Sequence, residues 1–555
     1  MNRSKIAKRI VIIGAVAAGT SAAAKARRND EMAEIVIYEM DRHISYSGCG
    51  LPYYIGGLVE NLETLTPRDP AYFKKRYNVD ILIRHEVLSI DPATKTLLVK
   101  NLSDGTEFTD HYDQLILSTG AQPVLPPIPG NDLDHVFVLR NPSQALAIRT
   151  FIEQRRPQTA AVIGSGFIGM EMVENLMRAG LSVTLIEMLP VICPALDPDV
   201  APSLHNYLES WGVKIRTGRK AAVISPYLVT LDDGSQVGAD LVILAVGIRP
   251  NTGLAKAIGI ELSKKGAIVV NKKMQTNLPG IYACGDCAES FSAVDGHPLY
   301  RPLGSTANKM GRIAGDMVSG GSLSFRGILG TSIFKVFEMS VAATGLNEQE
   351  ARALGYPVVI SHNIKPDRPD YFSGRDMLIK AIADQNTGRI LGVQIVGFDG
   401  VDKRIDVFVT AMTAGLTADD LFHLDLAYAP PFSTTKDPVM YTGMILDNAI
   451  SRGRRLISPD ELEKLGDQVT VIDARAARQY AEGHIAQAVN LPQESLRESL
   501  AGLDRKKPVV TYCNKGVTGN AVQNILLNSG FKEVYNLSGG FSQYEKEKKT
   551  RNPDE

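Results

Sequence analysis

Cysteine and tryptophan are scarce in this 555-residue chain, which contains five cysteines and one tryptophan. Five scattered cysteines are too few for the disulfide framework of a secreted domain, so we expect a reducing, cytoplasmic environment and a catalytic role for any reactive thiol. An excess of either charge is also missing, because 60 basic residues face 61 acidic ones. The chain therefore has no overall field for nucleic acid or anionic lipid, and no apolar run approaches the roughly 18 residues of a membrane span. We expect neither a nucleic acid nor a membrane as partner, and no metal site is predicted.

The length predicts roughly three to four domains, because single domains usually span about 100–200 residues. Hydrophobic residues make up 44% of the chain and charged residues 22%. This composition is typical of folded globular domains and argues against disorder.

A glycine turn near the start predicts a dinucleotide-binding unit. A strand at 10–13 is followed by Gly14 and Gly19, by a helix of small residues and by a second strand that ends at Glu39. Gly14 permits the tight turn and Gly19 permits close packing of the helix, whose N-terminus attracts a pyrophosphate. Glu39 is placed to bind a ribose hydroxyl. Val16 replaces the middle glycine of the usual pattern, so this match alone also fits a purely structural turn.

A second, complete copy of the pattern begins with a strand at 160–163. Its three glycines are Gly164, Gly166 and Gly169, and the next strand leads to Glu187. An acidic side chain there favours the free 2′-hydroxyl of NADH and repels the 2′-phosphate of NADPH, so NADPH is the less favoured cofactor. Two copies in one chain indicate nucleotide binding much more strongly than one.

Three further small-residue turns follow apolar strands. They contain Thr119 with Gly120, Gly247, and Gly285 with Asp286. In this order the motifs resemble the flavoprotein disulfide reductases, which have two dinucleotide-binding domains, over roughly residues 6–450. The resemblance implies that the first glycine turn, Glu39 and Asp286 hold FAD, and that the second turn holds the nicotinamide cofactor.

Cys49 is the candidate redox thiol. It lies in a segment that has a single cysteine where many relatives have a C-x-x-x-x-C pair. Such a thiol needs a lowered pKa, from a helix N-terminus, a flavin or a cation, to react as a thiolate at neutral pH. Two chemistries remain open, a sulfenic acid that cycles with oxygen or peroxide and a mixed disulfide that cycles with an external thiol. We interpret the C-x-x-C spacing of Cys284 and Cys287 as strand-end packing rather than as a second redox pair.

Ala17 discriminates between these chemistries. Single-cysteine NADH oxidases and peroxidases have a histidine at this position of the first turn, so alanine argues against the peroxide cycle. The turn and the segment from Cys49 to Tyr53 resemble more closely the coenzyme A–disulfide reductases. That resemblance implies a homodimer in which tyrosines of the partner subunit serve the flavin site and donate a proton to the leaving CoA thiolate. Tyr428 matches well and Tyr371 more loosely, and Tyr371 also fits a purely structural contact. The implied coenzyme A-binding residues are Ser21, Lys25, Arg28, Ser45, Lys75, Asn308 and Lys436.

The last hundred residues predict a separate domain. A basic linker at 451–455 precedes a strand that leads to Asp473, and a second strand at 509–512 ends directly before Cys513. This pattern resembles a rhodanese domain over its whole length. The six-residue loop from Cys513 to Thr518 leads into a helix, whose N–H groups would stabilise a thiolate or persulfide. Thr518 stands where such loops often have arginine, so we expect a persulfide or polysulfide rather than thiosulfate as the sulfur donor.

The predicted architecture is α/β, with two Rossmann-like domains for FAD and NAD, an α+β dimerisation domain and a C-terminal α/β rhodanese domain. The expected boundaries are 1–155 and 276–333 for the FAD domain, 156–275 for the NAD domain, 334–450 for the dimerisation domain and 456–550 for the rhodanese domain.

The predicted function is that of an FAD-dependent NAD(P)H oxidoreductase. It would reduce a CoA persulfide, a polysulfide or CoA disulfide through Cys49, coupled to a sulfurtransferase-like domain that carries sulfane sulfur on Cys513. Two alternatives remain open. One is a sulfur-delivery or redox-sensing protein with a regulatory flavin module, and the other is an NADH oxidase, which Ala17 disfavours.

Overall fold

The computed structural model describes residues 7–551, which form two compact units. The first unit contains residues 7–190 and 213–330, and the second contains residues 191–212 and 331–551. Part of the predicted NAD domain, residues 191–212, therefore belongs to the second unit. No helix within 7–551 combines the length and the apolar character that a membrane span requires.

Twenty strands lie in the described residues of the first unit, and half of them belong to two parallel sheets. They are β1 Arg9–Ile13, β2 Glu34–Glu39, β3 Asp80–Ile83, β4 His85–Asp91, β5 Thr96–Asn101, β6 Glu107–His111, β7 Gln114–Leu117, β8 Ala121–Pro123, β9 Val136–Phe137, β10 Thr159–Ile163, β11 Ser182–Glu187, β12 Lys214–Thr217, β13 Ala221–Ser225, β14 Leu228–Leu231, β15 Gln236–Gly238, β16 Leu241–Leu244, β17 Ile248–Pro250, β18 Ile281–Ala283, β19 Ser290–Phe291 and β20 Pro298–Leu299.

The strands of the second unit build one antiparallel and one parallel sheet. They are β21 Ser332–Val336, β22 Met339–Gly345, β23 Val358–Pro366, β24 Asp376–Asp384, β25 Ile390–Gly397, β26 Leu456–Ile457, β27 Thr470–Asp473, β28 Val489–Asn490, β29 Val509–Tyr512 and β30 Val534–Leu537.

The helices of both units connect and cover these sheets. They are α1 Ala17–Asn29, α2 Leu51–Ile55, α3 Pro70–Tyr77, α4 Pro142–Arg155, α5 Phe167–Arg178, α6 Ala201–Ser210, α7 Gly253–Ala257, α8 Gly304–Val318, α9 Glu348–Ala353, α10 Val401–Ala414, α11 Ala418–Phe422, α12 Pro438–Ser451, α13 Pro459–Leu465, α14 Ala477–Glu482, α15 Leu496–Ser499, α16 Val517–Asn528 and α17 Gly540–Arg551.

Two parallel sheets of the first unit have Rossmann-like connections. Their strand orders are β18-β7-β1-β2-β3 and β12-β11-β10-β16-β9, and every pairing within them is parallel. After their first residues, Arg9 and Thr159, β1 and β10 are apolar and buried, as expected for central strands with helices on both faces. Each is followed by a glycine turn, a helix and a parallel neighbour, so both predicted Rossmann-like domains are confirmed.

The second unit contains the other two predicted folds. An antiparallel sheet of order β21-β22-β25-β24-β23 packs with α10 and α12, which gives an α+β domain. A parallel sheet of order β26-β30-β29-β27-β28 follows it in the chain. In this second sheet β29 lies in the middle, so the loop after it opens at the carboxyl edge, where α/β folds place their functional residues.

Helices α1 and α8 approach each other at very short range. A Cβ atom on Gly311 would lie 2.2 Å from the carbonyl oxygen of Ala18, and one on Gly315 would lie 2.2 Å from the carbonyl oxygen of Ala22. Neither glycine can gain a side chain unless the helices separate. Gly311 and Gly315 therefore set the distance between α8 and α1, the helix that follows the first glycine turn.

We predict that Gly315→Ala lowers the free energy of unfolding by about 1–3 kcal/mol, because the new methyl group overpacks the contact with α1. Gly304→Ala is the matched control, since a Cβ atom at that position of the same helix meets no atom within 4 Å. Thermal unfolding of the purified protein measures the effect. Equal unfolding midpoints for the two variants would contradict the close packing described.

Candidate functional site

The first glycine turn is built around close backbone contacts. Gly14 has a φ of +105°, and a Cβ atom on Gly19 would lie 1.9 Å from the Gly14 carbonyl oxygen. The Glu39 carboxylate accepts hydrogen bonds from the Ala15 amide at 2.7 Å and from the Asp41 amide at 2.9 Å. These hydrogen bonds lower the pKa of Glu39, but burial raises it by more. Val16, at the position of the missing glycine, is the N-cap of α1 and leaves the turn intact.

The second glycine turn leaves open space at the start of α5. Gly164 has a φ of +102°, and a Cβ atom on Gly169 would lie 2.0 Å from the Gly164 carbonyl oxygen. A Cβ atom on Gly166 would instead meet no atom within 4 Å. Glu187 is buried and accepts a hydrogen bond from the Ser165 amide at 2.9 Å. The start of α5 therefore has open space beside Gly166, and helix starts with free N–H groups are favourable positions for phosphate groups.

The turn after β7 and the segment after β17 are joined by hydrogen bonds. Thr119 donates its hydroxyl to the Asn251 carbonyl at 2.6 Å, and the Asn251 amide donates to the Gly120 carbonyl at 2.9 Å. Gly247, with a φ of +115°, ends the loop before β17, and β17 pairs antiparallel with β8. Sequence analysis missed Asn251, since its contact depends on the pairing of strands that are far apart in the chain.

Asp286 is paired with a cation that sequence analysis also missed. Arg140 Nη2 lies 2.6 Å from Asp286 Oδ2, and the Tyr300 hydroxyl donates to the Asp286 carbonyl at 2.9 Å. Gly285 has a φ of +79°, and a Cβ atom there would lie 2.7 Å from the Ala18 side chain. The Gly-Asp pair therefore lies against α1, the helix of the first glycine turn.

All five cysteines lie in the described residues, and Cys49 alone is exposed. It occupies a short turn, Gly48–Gly50, that leads into α2. Cys284 and Cys287 are fully buried, and burial raises the pKa of both thiols. The Cys287 thiol donates to the Leu117 carbonyl at 3.4 Å. This geometry agrees with packing roles for Cys284 and Cys287.

The protein groups around Cys49 raise the pKa of its thiol and so disfavour the thiolate. Although the residue is exposed, partial desolvation of its sulfur raises the pKa of the thiol, and the Glu171 carboxylate raises it further. Arg140 opposes both effects but does not overcome them. Among the groups of the protein, neither the start of α2 nor Arg140 brings the pKa of Cys49 below its ordinary value.

Glu171 is an acidic neighbour of Cys49 that sequence analysis did not identify. It lies on α5, which packs against α2 where a Cβ atom on Gly56 would lie 2.3 Å from Asn175 Oδ1. Burial and the charge of Glu174 raise the pKa of Glu171 to about 7, although a hydrogen bond from Tyr53 acts in the opposite direction. Burial raises the pKa of Tyr53 to about 12. Glu171 therefore changes charge near neutral pH beside the Cys49 thiol.

The predicted coenzyme A residues of the first unit lie on different elements. Ser21 on α1 donates its hydroxyl to the Asn308 carbonyl on α8 at 3.1 Å. Lys25, one turn further along α1, forms an ion pair with Asp316 at 3.0 Å. The remaining three are Arg28 and Lys75, which are exposed, and Ser45, which has a φ of +47°. The structure thus brings Ser21, Lys25, Arg28 and Asn308 to one helix pair, α1 and α8.

The predicted tyrosines and Lys436 belong to the second unit. Tyr371 is 73% exposed in a turn after β23, and Tyr428 is 49% exposed beside a cleft of about 450 Å³. Buried Arg404 contacts both segments. It donates to the carbonyl of Asp367, which precedes Tyr371 in the chain, at 2.9 Å, and it forms an ion pair at 3.0 Å with Asp437, which follows Tyr428. One buried guanidinium therefore ties together the segments that carry both tyrosines.

Cys513 lies at the carboxyl end of β29 and before the N-terminus of α16. Gly516, with a φ of +92°, is the N-cap of this helix. The Cys513 carbonyl accepts a hydrogen bond from the Phe541 amide at 2.8 Å, which holds the loop against the start of α17. The first N–H groups of a helix have no intrahelical acceptor, and the Cys513 loop leads directly to those of α16.

Comparison with known families identifies the chain. Residues 8–309 match the model of the pyridine nucleotide-disulphide oxidoreductases, and residues 331–438 match the dimerisation domain of the same group. The chain belongs to the pyridine nucleotide-disulphide oxidoreductase family. Residues 458–547 match the rhodanese-like domain, so this member of the family carries a rhodanese-like tail.

Some relatives of this oxidoreductase are named as reductases that depend on or act on coenzyme A, and another is named as an NADH oxidase. An NAD(P)H coenzyme A polysulfide/persulfide reductase of Pyrococcus horikoshii is 36% identical over 446 residues, which cover 79% of this chain and 98% of the relative. A protein of Methanocaldococcus jannaschii named NADH oxidase is 36% identical over 440 residues, which cover 78% of this chain and 97% of the relative. The solved structure of reduced Bacillus anthracis CoADR-RHD is 36% identical, covers 99% of both chains and has a TM-score of 0.95. The last match includes the rhodanese-like tail.

We predict that Glu171→Gln accelerates alkylation of Cys49 at pH 8 by about threefold or more, because it removes a negative charge that disfavours the thiolate. Below about pH 6 the rate should not change, since the wild-type carboxyl, with a pKa of about 7, is already protonated there. Mass spectrometry of the Cys49 peptide after timed iodoacetamide treatment measures the rate at each pH.

Glu153→Gln on α4 is the control for Glu171→Gln, because the Glu153 side chain is 62% exposed. Acceleration of Glu171→Gln by the same factor at pH 5.5 and at pH 8 would indicate a steric effect and would contradict the charge interaction.

Proposed function

We propose that this oxidoreductase uses NADH to reduce a persulfide, a polysulfide or the disulfide of coenzyme A at Cys49. Its rhodanese-like domain would carry sulfane sulfur on Cys513. The observation that supports this proposal best is the exposure of Cys49 as a single thiol, with the four other cysteines buried. A lone exposed thiol has no internal partner for a disulfide, so its partner sulfur must come from the substrate.

The first step belongs to Cys49. Its thiolate attacks one sulfur of CoA disulfide, so the S–S bond of the substrate breaks and a mixed disulfide with Cys49 forms, while the other sulfur leaves as a CoA thiolate. Two electrons then open the mixed disulfide into the Cys49 thiolate and a second CoA thiolate. The leaving thiolates take up protons, for which a tyrosine hydroxyl is a suitable donor. We assign this role to Tyr428, with Tyr371 as the second candidate, both from the partner subunit of a homodimer.

The two glycine turns are the proposed binding sites of the two cofactors. When bound, FAD supplies the electron pair that NADH delivers. We assign FAD to the first turn with Glu39 and Asp286, and NADH to the second turn with Glu187. Arg219, two residues after β12, donates its amide to the Glu187 carbonyl at 3.2 Å, and its side chain pairs with Asp233 at 2.9 Å. This pairing, together with the Glu187 charge, supports NADH over NADPH.

The tail would exchange sulfur without a net redox change. The Cys513 thiolate attacks the outer sulfur of a persulfide R–S–SH, so that Cys513 becomes Cys–S–SH and the carrier leaves as R–S⁻. Reversal of this exchange passes the sulfur to another thiol. The pairing of Cys513 with Cys49 in one chain favours a persulfide or polysulfide as substrate, and the relative from Pyrococcus bears the same activity in its name.

Cys49→Ser is expected to abolish anaerobic NADH oxidation with CoA disulfide and with CoA persulfide, because serine cannot form the mixed disulfide. Absorbance of NADH at 340 nm measures the turnover. Cys513→Ser is the companion variant, which should lose cyanide-releasable sulfur while NADH oxidation with CoA disulfide continues. Full activity of Cys49→Ser would refute the proposed function.

The wild-type protein should show a higher kcat/KM for CoA persulfide than for CoA disulfide, with one sulfide released per NADH. Anaerobic assays with equal concentrations of the two substrates test this order. Rapid aerobic NADH oxidation without any sulfur substrate would favour the NADH oxidase alternative, in agreement with the name of the Methanocaldococcus relative.

A further inference from the structure

The rhodanese-like domain is joined to strand β23 of the dimerisation domain by a buried polar contact. The Ser538 hydroxyl oxygen accepts the His362 amide at 2.8 Å and lies 2.9 Å from His362 Nδ1. Ser538 directly follows β30, and both residues are buried. One serine and one histidine therefore connect the two domains away from solvent.

The glycine turn after Ser538 lies between β23 and the Cys513 loop. A Cβ atom on Gly539 would lie 3.1 Å from the His362 Cβ, and one on Gly540 would lie 2.3 Å from the Cys513 carbonyl oxygen. Both glycines have a positive φ, of +73° and +62°, which a side chain would strain. Because this turn contacts His362 on one side and the loop on the other, the position of Ser538 affects the position of the loop.

The start of α17 holds the loop by its backbone. The Phe541 amide donates to the Cys513 carbonyl at 2.8 Å, and the next amide, of Ser542, donates to the Asn514 carbonyl at 3.0 Å. N–H groups in the first turn of a helix have no intrahelical acceptor, so the loop carbonyls supply the missing acceptors. The loop therefore follows the start of α17, which in turn follows Ser538 and the glycine turn.

Ion pairs hold the loop at two further points. Lys515 of the loop forms an ion pair with Asp376 of β24 at 2.5 Å. Arg475, from the segment after β27, pairs with buried Asp473 at 2.7 Å and reaches Asn514 Oδ1 of the loop at 3.4 Å. Asp376 belongs to the dimerisation domain and Arg475 to the rhodanese-like domain. Both domains therefore contribute contacts that hold the loop.

Asp199 orients the His362 ring and also contacts α17. Its Oδ2 atom lies 2.8 Å from His362 Nε2, so the ring N–H donates to the carboxylate and Nδ1 is left to Ser538. Buried Lys380 pairs with the same carboxylate at 2.7 Å. The Asp199 carbonyl accepts a hydrogen bond from the Gln543 side chain of α17 at 2.6 Å. Asp199 therefore fixes the histidine through its carboxylate and α17 through its carbonyl.

We propose that His362 of the dimerisation domain is a positioning residue for Cys513, which it holds in the reactive arrangement through Ser538 and the glycine turn. A loop that is free to turn no longer directs the first N–H groups of α16 at the sulfur, so its thiolate is less favoured. The reactive state of Cys513 then requires the rhodanese-like domain to be docked on β23. The inference rests on the proposed sulfur-carrying role of Cys513 and extends it to a residue of another domain.

The pH profile of Cys513 alkylation in the full-length protein tests this assignment. Iodoacetamide is the probe, and mass spectrometry of the Cys513 peptide gives the rate at each pH. The pH midpoint reports how strongly the thiolate is favoured, whereas a change in accessibility alters only the plateau rate. Ser538→Ala should raise this midpoint by about one pH unit, because it removes the hydroxyl that joins the turn to His362. The Cys49 peptide of the same samples, which should keep its wild-type midpoint, is the internal control.

Two substitutions of His362 separate positioning from the filling of space. The asparagine amide reaches the place of Nδ1, so His362→Asn should keep the contact with Ser538 and a pH midpoint near the wild-type value. The glutamine amide reaches the place of Nε2 instead, so His362→Gln should raise the midpoint as Ser538→Ala does. A residue that only fills space would give the opposite order, because glutamine is closer to histidine in volume. His205→Gln on α6 is the matched control, since that histidine pairs with Glu209 of its own helix at 3.4 Å.

Unchanged pH midpoints in Ser538→Ala and His362→Gln, or a larger shift in His362→Asn than in His362→Gln, would overturn the proposal. Thermal unfolding shows which variants fold, and Ser538→Ala still decides the question if neither His362 variant does. The assay needs neither NADH nor coenzyme A, so its outcome is independent of whether Cys49 is the reductase thiol. Wild-type protein that cannot be loaded with cyanide-releasable sulfur would contradict the proposed role of Cys513 itself, which the alkylation profiles do not measure.

Discussion

A cysteine reacts as a thiolate anion, whereas burial in a protein disfavours a charged group. The surroundings of each cysteine in this protein therefore decide whether its thiol can react. Cys284 and Cys287 show one outcome, because burial raises the pKa of both thiols and leaves them as packing residues. Cys49 and Cys513 lie instead in turns at the start of helices. Their reactivity depends on what the surrounding elements bring near the sulfur, so the fold of each unit is the condition for its chemistry.

In the first unit, glycines position the helix starts by allowing the backbones of neighbouring elements to approach closely. Gly19 and Gly169 bring each helix start onto its own turn, and Gly311 and Gly315 bring α8 onto α1. A side chain at any of these positions would separate elements that must touch. The glycines therefore contribute no chemistry themselves, but they direct helix N–H groups toward the space for phosphates.

In the second unit, charged side chains hold the functional segments. Arg404 ties the tyrosine-bearing segments together, and Arg475 fixes the Cys513 loop while Asp473 balances its charge. Buried ion pairs of this kind contribute little net stability, but removal of one partner is costly. Their value here is positional, since each holds a loop that has no regular hydrogen-bonded structure of its own.

The sequence by itself determined the Rossmann-like, dimerisation and rhodanese-like folds, because apolar strands and glycine turns act over short stretches of chain. The strands predicted at 114–117 and 509–512 coincide with Gln114–Leu117 and Val509–Tyr512 in the structure. The partners of the reactive residues were decided only by the tertiary structure. Glu171 acts on Cys49, and Asp376 of β24 pairs with Lys515 of the Cys513 loop, each across more than a hundred residues of chain. A charge acts through space rather than along the sequence, so no local pattern predicts it.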